Sequence, residues 1–367
     1  MGKRRSPLEE LVMDLSFWRG KRVLLTGHTG FKGSWLCRIL TNAGAELTGY
    51  ALDPPTDPNL FSVCDVEHKM KSVIGDIRDK KKLMDSFKES DPEIVIHMAA
   101  HPIVRASYDN PHDTYEVNVM GTVNILECVR ACGRVRSFLN VTTDKVYRNN
   151  EWEWGYREND PLDGYDPYSN SKSCSELVTN SYRRAFFSDG KTAVSSARAG
   201  NVIGGGDFAY DRIIPDCVRA ASKKEMIIVR NPHSIRPYQH VIEPLIAYLK
   251  IAQGQYEDGN LADCYNVSPD ECDCVSTGEL VDHFCKAWGD GLEWEHKSMG
   301  GPHEASFLKL DCSRLKNVLG WKPRWNVSMA IEKTVQMTKA FYSDAEVHII
   351  MDNQIEEYIR PGADTHV

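Results

Sequence analysis

Short, nearly continuous apolar runs at residues 21–26, 46–52, 73–74, 93–99, 137–142 and 193–199 alternate with longer amphipathic stretches. A strand that shows a polar face to neither side is covered on both. Such runs separated by helices therefore predict a parallel sheet sandwiched between helical layers. The intervening stretches predict helices from the first glycine turn to roughly 43, and over 79–89, 113–132 and 168–187. Beyond Gly200 the pattern loosens. Gly204-Gly205-Gly206-Asp207 reads as a mobile turn, 211–222 as a helix, 226–229 as a short strand, and 241–253 as a helix returning to the first lobe.

At 367 residues the chain exceeds most single cores, so two lobes are expected. The fold class is α/β: a Rossmann-type doubly wound parallel sheet over 16–199, joined by about 238–255, with a smaller α+β substrate-binding lobe from 200–237 and 256–343. Residues 1–15 and the polar stretch 344–367 read as tails.

Composition narrows the function. The chain is 41% hydrophobic and 26% charged with a net charge of −8, and it has no lysine- or arginine-rich run, which argues against nucleic acid. No apolar stretch approaches ~18 residues, so no membrane span is expected. The charged N-terminus lacks the apolar core of a secretion signal, and a cytoplasmic location follows as an expectation. Eleven scattered cysteines without zinc-ligand spacing suit a reducing compartment and predict no metal.

Gly27, Gly30 and Gly33 follow a strand and open a helix, the context a dinucleotide-binding turn requires. Glycine allows the tight turn and close backbone approach, while the helix N-terminus attracts pyrophosphate. His28, Phe31 and Lys32 lie within the turn; Lys32 is placed to touch phosphate or to be an ordinary solvated lysine. Asp53, two residues past the expected end of the second strand, is a candidate for the adenosine ribose or merely a cap before Pro54. No arginine follows that strand to hold a 2′-phosphate, so NAD is preferred to NADP. Asp76 ends the third strand, where it suits the adenine amino group or an N-cap. Ala99-Ala100-His101 end the fourth, at the carboxyl edge where open sheets receive ligands.

Tyr168 and Lys172 are spaced Y-x-x-x-K and share one helix face. An ammonium there would lower the phenol's pKa and let it take a proton from a hydroxyl as hydride leaves the same carbon. Thr143 ends the fifth strand and would complete a Thr143–Tyr168–Lys172 triad. Asp144 and Lys145 follow at once, adding an acid and an amine at the reacting carbon.

These motifs resemble the extended short-chain dehydrogenase/reductase superfamily and, within it, the nucleotide-sugar 4,6-dehydratases, in particular their CDP-glucose branch. The likeness runs from about 17 to 342. It takes in 26–36, Gly75-Asp76-Ile77-Arg78-Asp79, 97–102, Asn118-Val119-Met120-Gly121-Thr122, 165–172, 198–207, 230–241 and 303–311. The resemblance implies an NAD cofactor bound by the glycine turn, Asp53, Asp76, Ile77, Ala99, Ala100, His101, Asn118, Tyr168 and Lys172. It implies CDP-D-glucose as substrate, oxidised at C4, dehydrated across C5–C6 and reduced at C6. Tyr168 with Lys172 and Thr143 would act at C4, Lys145 would take the C5 proton, and Asp144 would protonate the departing hydroxyl. Relatives acting on dTDP-glucose and GDP-mannose carry glutamate where Lys145 stands, so the C5 base is open. Arg212 and Arg236 are the best candidates for the substrate's diphosphate, with Arg198, Asn201 and His303 as further substrate-binding candidates; Arg198 equally suits a structural ion pair and His303 a surface role. A 4-epimerase using the same triad, or a dehydratase of another nucleotide sugar, is the alternative. A homodimer or homotetramer built on the helices 113–132 and 168–187 is also implied.

Overall fold

The apolar runs become neighbouring parallel strands. A computed structural model describes residues 13–297 and 307–360. Its sheet holds β1 (Arg22–Thr26), β2 (Glu46–Ala51), β3 (Lys71–Ile74), β4 (Ile94–His97), β5 (Ser137–Thr143) and β6 (Ala193–Ala199), closed by an edge strand Cys264–Val267. The spatial order is Cys264–Val267, β6, β5, β4, β1, β2, β3, with every pairing parallel. The strand order reverses between β1 and β4, and that switch point opens the crevice in which open sheets bind ligands.

Successive residues of a strand face opposite sides. Val23 and Leu25 of β1 join a core with Trp35, Leu36 and Ile39 of the helix Phe31–Asn42 and with Leu245, Tyr248 and Leu249 of the helix Ile242–Glu257. Leu24 between them faces the other layer, with Leu83, Phe87, Ile125, Leu126, Val95 and Phe138. A separate core gathers Ile214, Ile227, Val229, Leu280, Phe284, Ile331 and Val335.

Four details depart from the sequence reading. The helix expected over 113–132 is broken into Pro111–Tyr115, a wide π turn Glu116–Met120, and Gly121–Cys132. The edge strand Cys264–Val267, expected in the substrate lobe, belongs to the main sheet through β6. The glycines read as a mobile turn are packed instead: the Gly205 carbonyl accepts from the Trp35 indole at 3.1 Å, and a Cβ on Gly205 would meet Met337 at 2.5 Å. Most plainly, the stretch assigned to a polar tail forms a helix, Val347–Ile359, whose Val347, Met351, Ile355 and Tyr358 enter the first core. Its apolar positions recur at helical spacing, and the acidic residues between them masked the pattern. The tail expected at 1–15 falls largely outside the described residues; Leu15–Trp18 form one 3-10 turn with Trp18 buried.

Candidate active site

The dinucleotide turn is shaped by what a side chain would collide with. Gly27 sits at φ +77°, and a Cβ there would lie 2.9 Å from the Ala99 nitrogen; a Cβ on Gly33 would overlap the Gly27 carbonyl. Gly30 caps the helix Phe31–Asn42 with no side-chain hydrogen bond and no acidic residue in the first turn. By contrast, Asp166 caps the helix Pro167–Phe186 and Asp79 caps Lys80–Ser90 through their carboxylates. The first-turn amides of Phe31–Asn42 are thus left for an anion, and bare backbone surrounds them, so the turn fits a dinucleotide pyrophosphate.

Around it the predicted residues divide. The Ala99 amide donates to Thr26 Oγ1 at 3.0 Å, pinning the end of β4 against the turn. Asp53 is exposed past β2, and Ile77 is buried. Asp76 accepts from Arg78 Nε at 3.0 Å and from its amide at 2.9 Å, and the guanidinium holds its carboxyl below the usual range. His28 departs from its expected role: its imidazole is fully buried, bonded to Ser72 Oγ at 2.8 Å and edge-on to Phe61, so it presents nothing to phosphate. Asn118 likewise works within the protein. It accepts from the His101 amide at 2.8 Å and donates to the His101 carbonyl and to Ser171, clamping the loop after β4 onto two helices.

At the end of β5, Thr143 hydrogen-bonds Asp144 Oδ1 at 2.9 Å and also contacts the Tyr168 hydroxyl. Asp144 is fully buried; its Oδ1 lies 3.6 Å from Lys145 Nζ, and its Oδ2 has no hydrogen-bond partner among the described residues. Lys145 also donates to Asn201 at 3.3 Å, so Asn201 enters the site through this lysine. A buried acid oxygen without a partner beside a tyrosine hydroxyl is what proton delivery to a bound hydroxyl needs.

The expected link between Lys172 and the phenol is not what sets Tyr168. Burial pushes that phenol up to about 12; the Thr143 hydrogen bond and the Arg212 charge pull the other way, and Asp144 and Asp166 raise it. Lys172 donates to the Val141 carbonyl at 3.2 Å, and burial brings its amine down to about 8 against the attraction of Glu176. The i, i+4 spacing puts both residues on one face, but Lys172 reaches down to the sheet rather than across to the phenol.

Below Lys172 lies a group the sequence reading missed. Glu176, one further turn along, accepts from Thr142 and Ser196 and pairs with Arg198 at 3.0 Å. Burial would raise its carboxyl, but Arg198 and these hydroxyls outweigh that and hold it low. Arg198, a candidate either for substrate or for a structural ion pair, is 2% exposed and also donates to Tyr147 and to the Glu158 carbonyl. It is a structural cation. The Y-x-x-x-K spacing extended by one turn to Glu176 was the available signal. Arg212 is half-exposed and bonded to Asp207 at 3.1 Å, close enough to act on Tyr168. Arg236 is nearly buried and donates to the Ile235 carbonyl at 2.9 Å. His303 lies outside the described residues.

Solved structures share this architecture. A UDP-glucose-4-epimerase from Stenotrophomonas maltophila with bound NAD superposes with a TM-score of 0.78 at 20% identity, covering 88% of this chain and 99% of that one. A dTDP-glucose 4,6-dehydratase from Bacillus anthracis in complex with NAD gives 0.73 at 21% identity, covering 88% and 97%. Sequence carries the likeness further: a Salmonella typhimurium protein named CDP-glucose 4,6-dehydratase is 48% identical over 95% of this chain and 99% of its own length. The chain belongs to the GDP-mannose 4,6 dehydratase family, whose model matches residues 24–334.

Proposed function

We propose that this protein converts CDP-D-glucose to CDP-4-keto-6-deoxy-D-glucose with a recycled NAD. The observation that carries the reading is the meeting of Thr143, Asp144, Lys145 and Tyr168 beside the uncapped glycine turn, with Asp144 Oδ2 buried and unpartnered. The identity to the Salmonella typhimurium protein supports the choice of nucleotide and sugar. The turn Gly27–Gly33 with Ala99 would hold NAD, Asp53 and Asp76 lying on its adenosine side. NAD, when bound, supplies the hydride acceptor for C4 and the hydride for C6.

The protein's own residues move protons. Tyr168, oriented by Thr143, takes the C4 hydroxyl proton. The 4-ketone acidifies C5, Lys145 removes that proton, and Asp144 protonates the departing C6 hydroxyl so that water leaves. Lys172 holds its place through the Val141 carbonyl, and Arg212 and Arg236 meet the substrate diphosphate in two-pronged fashion. Purified protein given NAD and CDP-glucose should form a 4-keto sugar nucleotide lighter by one water by mass spectrometry. A product of unchanged mass would replace dehydration with epimerisation, and turnover of only another nucleotide's sugar would move the base specificity.

The protein works as a homodimer in the cytoplasm on this reading. Tyr115, Met120, Leu177 and Phe186 are exposed apolar residues on the helices that cover the sheet, which supports a face shared with a second copy. No helix among the described residues is long and apolar enough to cross a membrane.

A further inference from the structure

Among the described residues, three carboxylates at or beneath the reacting centre are each paired with a cation, while Asp166 is taken up in capping the helix Pro167–Phe186. Asp144 pairs with Lys145, Asp207 with Arg212, and Glu176 with Arg198. Two lysines are left over. Lys172 gives its amine to the Val141 carbonyl. Lys32, on the first turn of Phe31–Asn42, has no hydrogen bond or ion pair among the described residues; its Nζ stands 5.8 Å from the centre of the Tyr248 ring.

The groups that act on Lys32 are Arg212, Lys172 and Lys145 as like charges and Asp144 as the one attraction. Burial and that repulsion bring its amine down to about 7. Tyr248, packed against it from the helix Ile242–Glu257, is fully buried, and its hydroxyl has no hydrogen-bond partner among the described residues. A lone amine among cations, beside helix amides left uncapped, lacks one thing: an anion.

We propose that Lys32 is a proton switch coupled to diphosphate binding, taking up a proton as the diphosphate of a nucleotide ligand enters the chamber. This rests on the nucleotide-sugar reading above and adds a residue to it. The diphosphate could be the cofactor's or the substrate's, and both would favour the ammonium. Because the liganded form binds more protons, affinity should rise on acidification and fall roughly tenfold per pH unit above 7 until the liganded amine itself titrates.

Calorimetry with ADP-ribose and, separately, CDP-glucose added without NAD, in buffers of different ionisation enthalpy, tests this, since neither diphosphate diester has a proton of its own to exchange near pH 7. At pH 7 the wild type should take up on the order of half a proton with the ligand that couples, while Lys172 adds little. Lys32→Arg should keep the affinity but take up none, and Lys32→Met should bind more weakly with a flat pH dependence. Uptake with ADP-ribose alone assigns the switch to the cofactor, and uptake with CDP-glucose alone assigns it to the substrate. Binding without uptake in the wild type, or undiminished uptake in Lys32→Met, overturns the switch alone. Failure of both probes to bind would overturn the nucleotide-sugar reading together with it.

Discussion

Tyr168 can take a proton near neutral pH only if something offsets the burial that pushes its phenol up to about 12. Arg212 is the cation acting in that direction. Arg212→Met should therefore shift the acidic limb of the kcat–pH profile to higher pH, because losing a positive charge raises the phenol further. An unmoved limb would remove Arg212 from the account. Tyr168→Phe should lower turnover by roughly a hundred- to ten-thousand-fold while ADP-ribose binding persists, since only the proton-transfer group is lost. Single residues were unevenly legible in the sequence. Asp144 and Lys145 could be proposed from sequence because they directly follow a strand end, where open sheets receive ligands. The burial of His28 and the choice between a substrate and an ion-pair role for Arg198 were not legible, because both depend on partners far along the chain, Ser72 and Glu176.

At the scale of elements, the central strands were legible because both faces of each are covered and apolar or small residues dominate the run, whereas the exposed edge strand β3 was expected only over 73–74 and spans Lys71–Ile74. β6 was expected over 193–199 and spans Ala193–Ala199. The last helix was not legible, because it buries one face only and its exposed side is acidic and polar. Met351 on that helix is fully buried, so Met351→Ala should cost about 2–5 kcal/mol, read as a lower urea midpoint. The glycine turn offers a sharper contrast. Gly33→Ala forces a collision with backbone and should lower both thermal stability and ADP-ribose affinity. At Gly30 a Cβ would come no nearer than 3.5 Å, so Gly30→Ala should fold normally, and any loss of ADP-ribose affinity there reports crowding of the ligand.

For the whole molecule, buried histidines set the response to acid. Burial holds His28 at about 4 and His97 and His240 at about 3, against 6.5 unfolded, with Lys172 and Lys333 adding to the effect at the latter two. Below about 6.5 the unfolded chain binds protons that the folded chain refuses, so stability should fall as pH drops from 6.5 towards 3. Glu243 acts oppositely: burial raises it from 4.5 to about 7, so its own contribution weakens as pH rises through that window. Glu158 and Asp216, also raised by burial, act with Glu243, but the three imidazoles are displaced across the whole window, and the urea midpoint should decline on acidification from pH 7 to 5. A midpoint that rises would mean these imidazoles reach water.

The C-terminal helix also grips the dinucleotide turn from behind. Asp352 accepts from Arg38 Nε at 2.7 Å and from Asn42 at 2.7 Å, both on the helix whose N-terminus forms that turn. Any ligand that steadies the front of this rod thereby steadies its rear strut. Saturating ADP-ribose should slow chymotrypsin cleavage within the helix Val347–Ile359.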